Sequence, residues 1–285
     1  MHSVWPPCQV QEDEWVIGSE LREISARTRK EEKKHNMGKG KIIITGASAG
    51  LGAEMAHQFA ALGYDLGLCA RRREKMEALR SDVIAAHPER TVELRALDVT
   101  DHDAVFTVFH ELSQALGGVD RVIVNAGLGK GAALGKGRAD ANRRTAMTNF
   151  VGALSQSEAA MEIFRAQGRG HLVMISSMSA LRGMRKAMTV YAATKAGLAS
   201  LAEGLRSERV PGLDVSVIHP GYIRSEMNEH VTQKTPFMVD TKTGVRSMVA
   251  AIEKRKAKAY VPAWPWVPIG WLMKLLPLSL VRKLT

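Results

Sequence analysis

At Thr45 the pattern of the chain changes abruptly. An apolar run, Ile42-Ile43-Ile44-Thr45, passes without a linker into Gly46-Ala47-Ser48-Ala49-Gly50-Leu51-Gly52, and a helical pattern follows from Leu51 to Leu62. A run of β-branched residues suits a strand buried on both faces. The glycines allow positive φ and close backbone approach. The helix start beyond them offers unpaired N–H groups and the positive end of a dipole. Strand, glycine turn and helix in this order make an anion-binding corner. Its G-x-x-x-G-x-G spacing suits the pyrophosphate of a dinucleotide at Gly46, Ser48, Gly50, Leu51 and Gly52.

The alternation continues. Asp65 to Ala70 reads as a second strand and Glu74 to Ala86 as a second helix, and strand candidates recur at 91–96, 120–124, 171–176, 214–218 and 258–262. Strands separated by helices imply right-handed crossovers and a parallel sheet covered on both faces. The expected fold class is therefore α/β: a single doubly wound Rossmann-type domain over 37–262, with about seven strands. An apolar content of 45% over 285 residues is enough for one such core.

Both flanks differ from this core. Residues 1–36 hold Pro6-Pro7 and a charged run from Arg27 to Lys34, which reads as a poorly ordered arm, with Met37 as an alternative start. Residues 263–285 form an apolar extension carrying three of the five tryptophans and broken by Lys274 and Pro277. It is too short to span a bilayer. A helix packed on the protein's own core or on a partner subunit, a lid over a greasy substrate and peripheral membrane contact are its open readings. The net charge of +11 suits anionic ligands, but outside the arm nothing organises it for nucleic acid, which is not expected as a partner. Two cysteines, Cys8 and Cys69, exclude a disulfide framework, and Glu12-Asp13-Glu14 falls where a secretory leader would be apolar. A cytoplasmic protein without a metal site is expected.

The end of the second strand is where such folds read the adenosine ribose. Here Ala70 is followed by Arg71-Arg72-Arg73, and no carboxylate is placed to compete. Guanidinium groups suit a 2′-phosphate, so Arg71 and Arg72 favour NADP(H) over NAD(H). Asp98-Val99 is a candidate adenine contact, and Asn125-Ala126-Gly127 ends the fourth strand at the edge where ligands sit. Turn chemistry explains both equally well.

Tyr191-Ala192-Ala193-Thr194-Lys195 lies in a predicted helix, where four residues place phenol and ammonium on one face. A cation nearby favours the phenolate and lowers the phenol pKa toward neutrality, as general acid/base work requires. Ile175-Ser176-Ser177 ends the fifth strand, where a hydroxyl can bind a substrate oxygen. Asn149, in the long preceding helix, suits a water-linked proton relay or an interior amide satisfied by backbone. His219, before Pro220-Gly221, reads as a packed histidine.

Taken in order, T-G-x-x-x-G-x-G, Asn-Ala-Gly, a serine upstream of Y-x-x-x-K and a later Pro-Gly resemble the short-chain dehydrogenase/reductase family over roughly residues 40–262. The resemblance implies an oxidoreductase interconverting a carbonyl and an alcohol, and a homodimer or homotetramer. Tyr191 would be the acid/base, Lys195 would bind the nicotinamide ribose, Ser177 would polarise the substrate oxygen and Asn149 would complete the relay. Pro220 and Gly221 would belong to the cofactor edge, and Ile223 would meet the carboxamide. The Ser177–Tyr191 spacing is one residue longer than the family's usual one, which leaves Ser179 as the alternative serine. Ser225 stands where the family often has threonine. The tail and Met178, Leu181, Met184 and Met188 suggest a hydrophobic or lipid-like substrate. A noncatalytic NADP(H)-binding regulator is the rival reading.

Overall fold

The computed structural model describes residues 38–129, 131–228 and 237–284. The arm over 1–36, Met37 and Lys130 lie outside them. Seven strands form one sheet: β1 (Gly40–Thr45), β2 (Tyr64–Ala70), β3 (Val92–Ala96), β4 (Arg121–Val124), β5 (Gly170–Ile175), β6 (Leu213–Pro220) and β7 (Lys258–Val261). Their order is β3-β2-β1-β4-β5-β6-β7 and every neighbouring pair is parallel. This is the doubly wound α/β fold expected from the alternation. β4 and β5 are buried at every position, as a strand covered on both faces must be.

Helices α1 (Gly50–Ala61), α2 (Arg73–Ala86) and α7 (Thr241–Glu253) cover one face. There Met55, Phe59, Leu79, Val245 and Met248 pack on Ile42, Ile44 and Leu66. Helices α3 (His102–Leu116), α5 (Gly152–Gln167) and α6 (Met188–Ser207) cover the other, where Phe109, Leu112, Phe164 and Leu198 pack on Ile43, Val122 and Leu172. Local chemistry sets the helix ends. The Asp101 carboxylate accepts the Ala104 N–H at 3.1 Å to start α3, and Gly117, left-handed at φ 68°, ends it.

The long helix expected around Asn149 is not continuous. α4 (Ala139–Ala146) runs through a π-helical turn, Met147–Val151, into α5. β7 leads into α8 (Ala263–Leu275) and α9 (Leu278–Leu284). Within α8, Trp264 has extended backbone angles that kink the helix at its start. Parallel strands bring all their C-terminal ends to one rim, and the order reverses between β1 and β4. Ligands of such sheets sit in the crevice there.

Candidate active site

The turns after β1 and β4 are stitched together by Thr45. Its hydroxyl oxygen accepts the N–H groups of Asn125 and Ala126, both at 3.0 Å, and its carbonyl accepts the Asn125 amide at 2.9 Å. The glycines are dictated by this closeness. A Cβ on Gly52 would lie 2.4 Å from the Gly46 carbonyl oxygen, and one on Gly46 would lie 2.8 Å from the Ala126 Cα. Gly46 and Gly50 also adopt φ of 65° and 57°. The result is a bare backbone cradle at the N-terminus of α1, which fits a dinucleotide pyrophosphate. Leu51, partly buried, packs into the core behind it.

Beside the cradle, Arg72 donates Nε–H to the Ser48 hydroxyl at 3.1 Å. The guanidinium also meets a carboxylate, because Glu226 accepts both of its ends at 2.8 Å and Lys75 at 3.0 Å. These cations, Arg72 first, pull the Glu226 carboxyl down to about 2. Arg71 lies 3.6 Å from Asp98, whose carboxylate also takes the N–H and hydroxyl of Thr100. Arg73 pairs along its own helix with Glu77. The sequence reading, with no competing carboxylate, is thus corrected: Asp98 and Glu226 both reach the arginines through the fold. Val99 is buried and its carbonyl lies 2.5 Å from where Gly152 would carry a Cβ, so its side chain belongs to packing.

At the ends of β4, β5 and β6 the second group assembles. Lys195, buried, donates Nζ–H to the Ile175 carbonyl at 2.8 Å, and the Ser176 hydroxyl donates to the Lys195 carbonyl at 2.7 Å. Helix α6 is thereby clamped to the end of β5. Burial pushes the Lys195 amine down to about 8. Half-buried Tyr191 has Ser177 as its hydrogen-bonding neighbour, and burial raises its phenol above the ordinary range, with Ser177 offsetting part of the shift. Lys195 Nζ stands 5.9 Å from the Tyr191 ring centre. Around the phenol, loss of water outweighs a lysine cation that is already turned to a carbonyl, so the shift runs opposite to the lowering expected from the sequence.

Ser179 donates its N–H and its hydroxyl to the Ser177 oxygen, at 3.2 and 2.9 Å. Between the serine and the tyrosine the chain passes through the 3-10 turn Met178–Leu181. Asn149, on the π turn, accepts the Leu128 N–H at 2.6 Å and donates to the Leu128 carbonyl at 2.9 Å. Gly127 lies between Asn149 and Lys195: a Cβ there would be 3.3 Å from Asn149 Oδ1 and 3.5 Å from Lys195 Nζ. On β6, buried His219 donates Nδ1–H to the Ser177 carbonyl at 2.9 Å, so the packed histidine also anchors the serine's backbone.

Residues 40–236 match the family profile described as short chain dehydrogenase. The chain belongs to the short-chain dehydrogenase family. It is similar to an uncharacterized oxidoreductase of Mycobacterium tuberculosis, 50% identical over 244 residues, covering 85% of this chain and 96% of that protein. Among solved structures it resembles a short-chain dehydrogenase from Burkholderia cenocepacia in complex with NADP, at 25% identity, a TM-score of 0.70, and coverage of 79% of this chain and 96% of that one. A further resemblance, in fold alone, is to a short-chain dehydrogenase/reductase from Burkholderia phymatum in complex with NAD, at 19% identity, a TM-score of 0.73, and coverage of 87% and 96%.

Two features of this short-chain dehydrogenase escape sequence reasoning. Glu226 follows the Pro-Gly turn with no local pattern to mark it. Trp266, buried on α8, lies so close over Gly221 that a Cβ there would sit 2.0 Å from the indole. The extension after 262 therefore reaches the Pro220-Gly221 edge. Ile223 is also turned inward: its side chain packs on Gly244 and its carbonyl accepts the Asn228 amide at 2.8 Å. What it can offer a carboxamide is its N–H and the second lone pair of its carbonyl.

Proposed function

We propose that this oxidoreductase interconverts a carbonyl and an alcohol with NADP(H), on a hydrophobic or lipid-like substrate. The observation that carries the reading is the convergence of Tyr191, Ser177 and Lys195 at one sheet rim, beside a glycine cradle. The cradle glycines, Ser48 and the turn Asn125-Ala126-Gly127 would hold the dinucleotide, with Arg71 and Arg72 at its 2′-phosphate. When bound, the nicotinamide supplies or accepts the hydride.

The rest falls to the chain's own side chains. Ser177, whose oxygen accepts from Ser179, has its own proton to turn from Tyr191 to a substrate oxygen. The Tyr191 phenol, held protonated by burial, gives its proton to the developing alkoxide. Lys195 stands one helical turn away, as a source to replenish it. Asn149 positions the backbone of Leu128, and the second lone pair of its Oδ1 serves the lysine across the gap kept open by Gly127. The apolar stripe Met147, Val151 and Leu154, exposed at helical spacing, supports homodimer formation.

The test is NADPH oxidation against aldehydes and ketones of increasing chain length, with Tyr191→Phe alongside. Turnover should rise with chain length and fall roughly 10²- to 10⁴-fold in the variant, while NADPH binding persists. Tight NADPH binding without turnover on any carbonyl would favour a noncatalytic regulator, and equal use of NADH would remove the 2′-phosphate reading.

A further inference from the structure

Helix α8 is apolar around its circumference, with Lys274 as its single charged residue. One side, formed by Trp266, Gly270 and Met273, is buried on the protein. The other carries Trp264 (79% exposed), Trp271 (65%) and Leu275 (78%), and Leu278 (64%) extends the surface onto α9. An apolar helix with half its circumference in water lacks a partner, and large side chains clustered on one face mark a binding surface.

Charge selects the occupant. From Trp264 to the end, the sequence holds Lys274, Arg282 and Lys283 and no Asp or Glu. A second copy docking about a twofold axis would set these cations against themselves. An anionic lipid surface attracts them, and Trp and Leu flanked by Lys and Arg are the residues that settle in a headgroup layer. No helix among the described residues is long and apolar enough to cross a membrane, so such a contact stays at the surface.

We propose that the α8–α9 face docks the protein on an anionic lipid surface, with Trp264, Trp271, Leu275 and Leu278 entering the apolar boundary and Lys274 and Arg282 at the headgroups. The proposal is independent of the reaction proposed above. It does have a consequence for access. Trp266, on the inner side of α8, meets the rings of Tyr222 at 5.4 Å and Phe237 at 6.4 Å, and both of those are exposed. The apolar surface thus continues from the docking face to the rim of the site.

The full-length protein is sedimented with vesicles of phosphatidylcholine alone or containing phosphatidylglycerol, beside Trp271→Glu and Leu275→Glu. Both positions are exposed, and unchanged melting and gel-filtration profiles check that the variants fold. Binding should be at least about tenfold tighter to the anionic vesicles, weaken with salt, and fall at least about tenfold in either variant. No sedimentation with anionic vesicles would overturn the proposal, as would equal binding to neutral ones. Binding that survives both substitutions also overturns it, assigning the contact to the basic run Arg27 to Lys34. A dimer that both substitutions split, without vesicle binding, gives the face to a second copy.

Discussion

Tyr191 and Lys195 share a helix face, yet the site treats them oppositely. Loss of water raises the phenol and lowers the amine, each toward its neutral form. A phenol that holds its proton through neutral pH is ready to act as an acid. Carbonyl reduction is therefore expected to be flat from mildly acidic to neutral pH and to decline as pH rises past about 8, where Lys195 loses its charge. Alcohol oxidation, which needs the phenolate, should climb over the same range. Initial rates in both directions across pH check this, and reduction that accelerates with alkali would contradict the assignment of Tyr191 as proton donor. The pair itself was legible in the sequence because one turn of helix is a local relation. The sign of the phenol's shift was not, since it depends on how deeply α6 is pressed against the end of β5.

At the scale of elements, the segment after β6 reaches back across the sheet. Glu226 holds Arg72 and Lys75 of the β2–α2 corner, and Ser225 stands over Gly50 at 3.4 Å from where a Cβ would be. A carboxylate on that guanidinium occupies the donors that a 2′-phosphate would use. Glu226→Gln is expected to tighten NADPH binding roughly two- to fivefold, as release of an exposed ion pair implies, and to leave NADH nearly unchanged. Fluorescence titration with both nucleotides measures it; weaker NADPH binding would mean that Glu226 supports the site. The strands and most helices could be read from composition and periodicity, because parallel crossovers repeat one simple pattern. Contacts such as Glu226 with Arg72, 154 positions apart, depend on the path of an irregular segment and leave no periodic trace.

For the molecule as a whole, polar groups buried in the sheet set its response to acid. His171 accepts the Arg121 Nε–H at 3.0 Å and donates Nε2–H to Ser216 at 2.8 Å, and burial holds it down to about 3. Burial likewise brings His219 down to about 4. An unfolded histidine takes a proton near ~6.5, whereas these folded ones refuse it. Below that pH the unfolded chain binds more protons, so stability falls as pH drops from about 6.5 toward 4 for His219 and 3 for His171. Thermal melts from about pH 7 to about pH 5, above most of the carboxylate range, should show Tm declining. In His219→Asn, whose amide can still reach the Ser177 carbonyl, part of that slope should disappear. A Tm constant over this interval would mean that both histidines are solvated.

The π-helical turn has a consequence for how this chain can vary. Its wider coil lets one more residue into the turn than an α-helical path would take, and each residue of a helix turns the next by about 100°. The direction of Asn149 toward Leu128 is therefore set by how many residues precede it in the turn rather than by which ones they are. Thr148 is open to exchange, and Met147 and Val151 to exchange among apolar residues. A change of length by a single codon would rotate Asn149 away from Leu128 while leaving every other contact of the amide chemically possible. At this point the site is written in the count of residues, and drift in a lineage should show as spelling changes with no gaps.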